Sequence, residues 1–342
     1  MRFLTKILAR AALNRPDAAL IKASGRAPRR VAGRTLDPRF QFIEAQARAR
    51  PPAAPTPETA RTQTEQLTYL FGGRREPGCE VEELRIETEG RAIPARLYRP
   101  ARQNSATPIF VFYHFGGGVV GSVETCDAFC TILSNAIEGP VLSVEYRLAP
   151  EHPWPAGLQD AFASYRWAAA HADRFGAPQG KAAVGGDSMG GNFSAIVAQE
   201  MKRTGGPAPV VQLLIYPATD LASEHASMTA FGDAFPLTRQ TMDWFMANYL
   251  PAGTDVKNVH LSPAYEPDLA GLAPALVYTA GFDPLVDQGH EYADKLAAAG
   301  VKVTRHCFDT LAHGFTTFTG AIPAADAACR RMARETAEAL RA

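Results

Sequence analysis

The sequence predicts an α/β protein: eight strands in a mostly parallel sheet, flanked by helices and overlaid by a helical cap. Three observations carry this expectation. Continuous apolar runs at 108–113 and 139–146 have the character of central parallel strands, which are buried on both faces. Such runs alternate with stretches of helical periodicity, the rhythm of strand–helix–strand crossovers. One junction, Gly186-Asp187-Ser188-Met189-Gly190, sets a serine between close glycines where a buried run passes into a helical one.

Taken in order, residues 1–75 are rich in Ala, Arg and Pro and read as helical and separate from the rest of the chain. Within them Arg50-Pro51-Pro52-Ala53-Ala54-Pro55-Thr56-Pro57 is a linker, and Pro57 opens a helix to about Phe71 that Gly72-Gly73 ends. Residues 81–88 and 92–98 alternate around Glu89-Gly90 and read as a hairpin. After the strands at 108–113 and 139–146 come a helix at 158–175 and a strand from 181 leading into the glycine-flanked serine. A helix to about Arg203 and a strand at 210–216 come next. Residues 220–260 carry helical signals at 227–232 and 238–249 and no strand. A strand at 274–280, a helix at 287–299 stopped by Gly300, a last strand at 301–308 and a last helix at 323–340 complete the chain. Two helical pieces fall outside the rhythm, 1–75 and 220–260. Both are candidates for a cap over the C-terminal edge of the sheet, where ligands bind in such folds. The expected division is therefore a cap segment at 1–75 and a catalytic domain at 76–342, with 220–260 adding to the cap. The last strand is a candidate sheet edge, and exposed edges can pair, so a homodimer is a partner to test for.

The 342 residues are enough for one large domain, and 46% apolar content supplies its core. Lys+Arg and Asp+Glu balance at 35 each, which gives no whole-chain electrostatic case for nucleic acid. The balance is uneven: residues 1–34 carry nine Lys/Arg against Asp17 alone, a net of +8. That segment reads as a solvated basic arm or as a weak docking element for an anionic surface. Phe3, Leu4, Ile7, Leu8 and Leu13 recur at helical spacing with Arg2, Lys6 and Arg10 between them, a stripe that equally suits packing on the protein body. No apolar run reaches membrane-span length, so no stable membrane insertion is expected. Lys6 and Arg10 also interrupt the stretch a signal peptide would need. Five cysteines (Cys79, Cys126, Cys130, Cys307, Cys329) are an odd and sparse set, expected of reduced thiols in a cytoplasmic protein. Cys126 and Cys130, one helical turn apart and without metal-spaced company, read as packing residues.

A serine at a strand-to-helix corner, with glycines two before and two after, is the pattern of a nucleophile elbow. Side chains at 186 and 190 would collide with the neighbouring strand and helix. The competing reading is a serine capping the following helix. A nucleophile needs a base, an acid that orients the base, and donors for an oxyanion. His114-Phe115-Gly116-Gly117-Gly118 comes directly after the strand at 108–113, and glycine lets a substrate come close to backbone N–H groups. Met189, next after the serine, supplies a further N–H. His114 is a rival base but reads as an anchor of its own loop. The base is expected late, after the last strand, where His313-Gly314-Phe315 stands. His171, His225 and His290 fall in helical stretches, His152 in a proline-rich turn and His306 inside the last strand. For the acid, Asp283 ends the strand at 274–280. Asp287 better suits the N-cap of the next helix, and Asp309 the shaping of the loop before His313.

Together these motifs resemble the hormone-sensitive lipase family, family IV of the bacterial lipolytic enzymes, within the α/β-hydrolase superfamily. The similarity runs from about residue 80 to the end. It rests on the glycine loop at 114–118, Tyr146-Arg147-Leu148-Ala149-Pro150-Glu151-His152-Pro153 with Pro155-Ala156, the elbow at 185–191, Tyr216-Pro217, Gly281-Phe282-Asp283-Pro284-Leu285 with Asp287, and His313-Gly314-Phe315. The order Ser188, Asp283, His313 is the order of an α/β-hydrolase triad. The resemblance implies the α/β-hydrolase fold and a carboxylesterase with Ser188 as nucleophile, His313 as general base and acid and Asp283 as orienting acid. It places the oxyanion donors at Gly116, Gly117 and Met189 and calls for no metal or cofactor. Asp160 matches a position that is often Asp in the family and reads as structural. The chain departs from the family in two places. Phe115 takes the place of the first glycine of the usual His-Gly-Gly-Gly, and Gly118 the place of the aromatic usual after it. Met189 stands where a small residue is common, and its longer side chain either narrows the pocket or fills core space.

The expected reaction is hydrolysis of short- to medium-chain acyl esters through an acyl-enzyme. The pocket is expected to involve Phe115, Gly118, Asp187, Tyr216, Phe231, Phe235, Leu285 and Phe315, with Trp244 and Phe245 of the cap; for Phe231, Phe235, Trp244 and Phe245 ordinary core packing of the cap helices is an equal alternative. The expected partner is a small-molecule ester. Amidases, lactonases and carbamate hydrolases share the triad, and non-catalytic hormone receptors share the fold but typically lose the histidine; these alternatives stay open.

Overall fold

A computed structural model describes residues 2–49, 55–88 and 90–342. Residues 50–54 of the expected linker and Glu89 of the hairpin turn lie outside them. The chain opens with helices α1 (Arg2–Leu13) and α2 (Asp17–Ala23), a ribbon of β1 (Arg30–Val31) and β2 (Arg34–Thr35), and helices α3 (Pro38–Arg48) and α4 (Pro57–Phe71). Local chemistry starts the last two: Asp37 accepts the Arg39 N–H at 2.8 Å, Thr56 accepts that of Thr59, and each helix has proline at its first position.

The sheet comes next. Its strands are β3 (Glu80–Thr88), β4 (Arg91–Arg99), β5 (Ile109–Tyr113), β6 (Val141–Val144), β7 (Ala182–Asp187), β8 (Gln212–Ile215), β9 (Ala275–Phe282) and β10 (Val303–Ala312). They lie in the order β10-β9-β8-β7-β5-β6-β4-β3. Only the pairings of β4 with β3 and with β6 are antiparallel. Every residue of β5, β6, β7 and β8 is buried, as continuous apolar runs require of central strands. The crossover helices are α5 (Val123–Ile137), α6 (Ala156–Ala170), α7 (Met189–Thr204) and α10 (Val286–Ala298), and α11 (Pro323–Arg341) follows the last strand. Between β8 and β9 the chain forms α8 (Ala226–Ala230) and α9 (Arg239–Tyr249) and no strand.

The structure differs from the sequence expectations in three places that bear on the site. The first 75 residues do not stand apart: Leu13, Leu36, Phe40 and Phe71 belong to the same buried cluster as Phe112, Tyr216 and Phe318. Phe318 stacks on Phe71 at 5.8 Å between ring centroids and meets Phe40 at a tilt at 4.9 Å. The last strand is an edge, as expected, but it continues past 308 to Ala312. Its register against β9 shifts between Phe308 and Ala312. A Cβ on Gly281 of β9 would come within 2.4 Å of the Asp309 carbonyl, so the strands can meet there only because 281 has no side chain. Such an irregularity re-aims the chain beyond it, and the residue after Ala312 is His313. Finally, the helix expected at 158–175 breaks after Ala170 into a 3-10 turn, Ala172–Phe175.

Candidate active site

Ser188 sits between β7 and α7 with φ 57° and ψ −114°, a conformation that costs a non-glycine residue about 1–3 kcal/mol. Neighbouring backbone enforces it. A Cβ on Gly186 would lie 2.4 Å, and one on Gly190 1.9 Å, from the carbonyl oxygen of Tyr113 at the end of β5. Both glycines are therefore required for the elbow to tuck against the central strand. The backbone is pinned by the Ser188 N–H donating to Ile215 O at 2.9 Å and by Ser188 O accepting from Asn192 N at 3.0 Å. The side chain does not cap α7, which removes the helix-cap reading. Its Oγ lies 2.9 Å from His313 Nε2 instead.

His313 comes directly after β10, and its Nδ1 lies 2.7 Å from Asp283 Oδ2 at the end of β9. Asp283 is wholly buried, and its other oxygen accepts the Leu285 N–H at 2.8 Å. Since an ionised carboxylate only accepts, the Nδ1 facing it carries the ring proton, and Nε2 is left to accept from the serine hydroxyl. The ends of β7, β9 and β10 thus deliver one continuous chain, Asp283–His313–Ser188. The Tyr216 ring supports the imidazole at 4.7 Å.

The glycine loop adjoins this chain. Gly116, Gly117 and Gly118 all have positive φ (123°, 60° and 73°). Gly116 O accepts from both Val119 N and Val120 N, and a Cβ at 116 would meet Val120 O at 1.9 Å. Helix α9 lies on the loop: a Cβ at 117 would come within 2.4 Å of the Phe245 ring, and one at 118 within 2.4 Å of the Tyr249 ring. The aromatic missing from position 118 is thus replaced in space by Tyr249. His114 is fully buried, stacked on Tyr146 at 4.2 Å, with Nδ1 2.7 Å from Phe115 O; burial lowers its pKa. It anchors the loop and does not reach the serine. Met189 opens α7, where an N–H has no intrahelical acceptor. Its side chain is buried in the core cluster that also holds Phe193 and Tyr249.

A family model described as "alpha/beta hydrolase fold" matches residues 110–317. The chain belongs to the α/β-hydrolase family. Within it the chain groups with the hormone-sensitive lipase type, whose named relatives are carboxylic ester hydrolases. It is 48% identical over 242 residues to the carboxylic ester hydrolase LipN of Mycobacterium tuberculosis, a match covering 69% of this chain and 64% of LipN. It is 40% identical over 260 residues to the carboxylesterase NlhH of the same organism, covering 75% of this chain and 81% of NlhH. Among solved structures it resembles an ester-hydrolase from the metagenome of Lake Arreo, complexed with a bipyridine phosphonate derivative. That TM-score is 0.84, with 36% identity, over 89% of this chain and 97% of the other.

The remaining expected site residues of this hydrolase fall into two groups. Leu285 packs with Ala218 and Leu237, against Met242 and Phe245 of the α9 region, and forms an apolar cluster beside Asp283. Phe115 is half-buried in the glycine loop. The others face inward, and for Phe231 and Phe235 this is the core packing that the sequence equally allowed. Phe231 is packed edge-on against Phe282, and Phe315 is wholly buried against Tyr216 and Phe308. Phe235 packs against the same core cluster. Asp187 is buried behind the serine, where Oδ2 accepts from Tyr216 O–H at 2.9 Å and Thr316 Oγ1 at 2.8 Å. Burial pushes its pKa up to about 6, and the two hydroxyls oppose the rise. Asp287 does not cap α10 but sits in its first turn and accepts the Ser227 N–H at 2.8 Å, tethering α8. Asp309 lies in β10 and pairs with Arg34. Asp160 is buried and held by Arg147 and Arg91.

Sequence reasoning missed Tyr249, Met242 and Thr316. The first two, with Phe245, recur on one face of α9 at helical spacing, a signal that was present. Thr316 carries no signal beyond its nearness to His313.

Proposed function

We propose that this carboxylic ester hydrolase works through an acyl-enzyme on Ser188, with His313 as general base and acid and Asp283 as the orienting acid. The observation that carries the reading is the unbroken hydrogen-bonded chain from Asp283 through His313 to Ser188 Oγ. In the first half-reaction Ser188 Oγ attacks the ester carbonyl while Nε2 takes its proton. The carbonyl oxygen becomes an oxyanion served by the N–H groups of Gly116, Gly117 and Met189. Collapse expels the alcohol, which takes the proton from Nε2 and leaves an acyl group on Oγ. In the second half a water gives a proton to Nε2 and attacks the acyl carbonyl; its collapse releases the acid and returns the proton to Oγ. Asp283 stays ionised throughout and stabilises the imidazolium. Each oxyanion donor contributes on the order of 10² to 10³ in rate.

In this reading residues 1–75 and 220–260 form the cap, and α9 sets the acyl limit. The substrates are short- to medium-chain esters, because Ser188 is only 8% exposed and α9 closes over the glycine loop. The test is a p-nitrophenyl ester series with the wild type and Ser188→Ala. The expected result is turnover that peaks at short to medium chains and vanishes in the variant. Comparable rates for the two proteins would overturn the assignment of Ser188, and a maximum at long chains that of the cap.

A further inference from the structure

Helix α1 turns its apolar face outward. Among the described residues the exposed large hydrophobics are Leu4 (60% exposed), Ile7 (46%), Leu8 (61%) and Tyr69 (41%). The first three recur on one face of α1. The opposite face, with Lys6, Ala9, Arg10 and Leu13, packs on α4 and the body: Leu13 is buried, Arg10 Nε donates to Leu70 O at 2.8 Å, and Lys6 Nζ lies 4.5 Å over the Tyr69 ring. Tyr69 therefore continues the apolar surface from α1 onto α4. Of the described side chains in the apolar stripe, Leu13 packs on the protein body while Leu4, Ile7 and Leu8 face outward.

Cations border the patch, and the acids in the groove beside Lys6, Glu124 and Asp127, are paired with Arg96 and Arg75. Helix α1 has no acidic residue, and among the described residues neither Lys6 nor Arg10 forms an ion pair. The exposed Arg74 comes close enough to both for its charge to depress their pKa values, after the larger effect of burial. An amphipathic helix with an outward apolar face and clustered cations is suited to the boundary between anionic headgroups and acyl chains. A protein partner or a second copy would bring no matching need for Lys6 and Arg74, which form no ion pair among the described residues, beside Arg10, whose guanidinium is held by the carbonyls of Leu70 and Gly72. The patch also has a short route to the site. The C-terminal end of α4 packs on the segment after His313, where Phe71 stacks on Phe318 and Phe71 O accepts from Gly320 N.

We propose that Leu4, Ile7, Leu8 and Tyr69, framed by Lys6, Arg10 and Arg74, form a peripheral docking surface for anionic lipid bilayers. The helix lies in the headgroup plane and does not span. Both terms are needed, because either apolar contact or charge alone gives marginal, reversible binding.

Binding is read independently of catalysis, by co-sedimentation of full-length protein with vesicles of phosphatidylcholine alone or mixed with phosphatidylglycerol. The Ser188→Ala protein serves as well as the wild type. The wild type is expected to sediment with the mixed vesicles only, and less at high salt, where screening is stronger. The L4S/I7S/L8S variant is expected to lose sedimentation, and K6S/R74S to lose it by roughly fivefold per charge removed. Both should hydrolyse a soluble p-nitrophenyl ester at the wild-type rate, since these residues touch neither Ser188 nor the glycine loop. Equal binding to neutral vesicles, no binding to either, or L4S/I7S/L8S binding like wild type would overturn the proposal. So would light scattering that shows a dimer of the wild type and a monomer of L4S/I7S/L8S.

Discussion

Gly118 and Tyr249 occupy one another's space, and a double-mutant cycle should reveal it. A Cβ at 118 would lie 2.4 and 2.5 Å from two carbons of the Tyr249 ring, where carbon atoms need about 3.5 Å or more. Gly118→Ala therefore carries two costs. The left-handed backbone, φ 73°, costs an L-residue about 1–2 kcal/mol. The overpacking adds about 1–3 kcal/mol. Tyr249 is 2% exposed, and Tyr249→Ala should cost about 3–5 kcal/mol in lost burial and cavity. In the double variant the methyl enters the space the ring has left, so the overpacking vanishes and the backbone and cavity costs remain. The double should thus be more stable than the sum of the singles by about 1–3 kcal/mol. Urea denaturation of the four proteins measures this. Ester hydrolysis adds a second reading, because a displaced 118 shifts the N–H groups next to it: kcat should fall in Gly118→Ala and partly recover in the double. Single costs that add to within about 0.5 kcal/mol would refute the reasoning.

The buried carboxylates lead to two further outcomes. In Asp283→Asn the Leu285 N–H still requires an acceptor, so the amide NH₂ turns toward His313 Nδ1 and favours the tautomer with its proton on Nε2, which cannot accept from Ser188. kcat should drop by on the order of 10⁴; steady-state kinetics that show less than a tenfold loss would contradict it. For Asp187 the folded pKa is raised, so its contribution to stability is full below the ordinary carboxylate range and is lost as pH rises through about 6. Asparagine does not titrate. Between about pH 4 and about pH 7 the stability of Asp187→Asn relative to wild type should therefore shift in the variant's favour by about 2 kcal/mol. A gap independent of pH in urea titrations would show that Asp187 does not ionise in that window.

The features legible in the sequence were those that local sterics dictate. Ser188 with glycines at 186 and 190 is legible because the tight strand-to-helix corner writes its demand for small residues at two positions fixed relative to the serine, although the atom that excludes a side chain, Tyr113 O, belongs to another strand. The apolar runs of β5 to β8 are legible because burial on both faces excludes polar residues. Whether Phe231 and Phe315 face the substrate or the core was not legible, because an aromatic near a site looks the same in sequence either way. The burial of residues 1–75 depends on Phe40 and Phe71 meeting Phe318, a contact across more than two hundred positions that no local pattern encodes. The extension of β10 to Ala312 rests on Gly281 in another strand. The aromatic absent at 118 was visible as a departure, but its replacement by Tyr249 of α9 needed three dimensions.

The central claim is that Ser188 Oγ is the atom that becomes acylated. Reaction with a fluorophosphonate, coupled to peptide mass mapping, tests it most directly. The account predicts one adduct per chain, on the peptide and residue of Ser188, with loss of ester hydrolysis in step with labelling and no adduct in Ser188→Ala. An adduct on another residue, or full ester hydrolysis by a fully labelled protein, would contradict it.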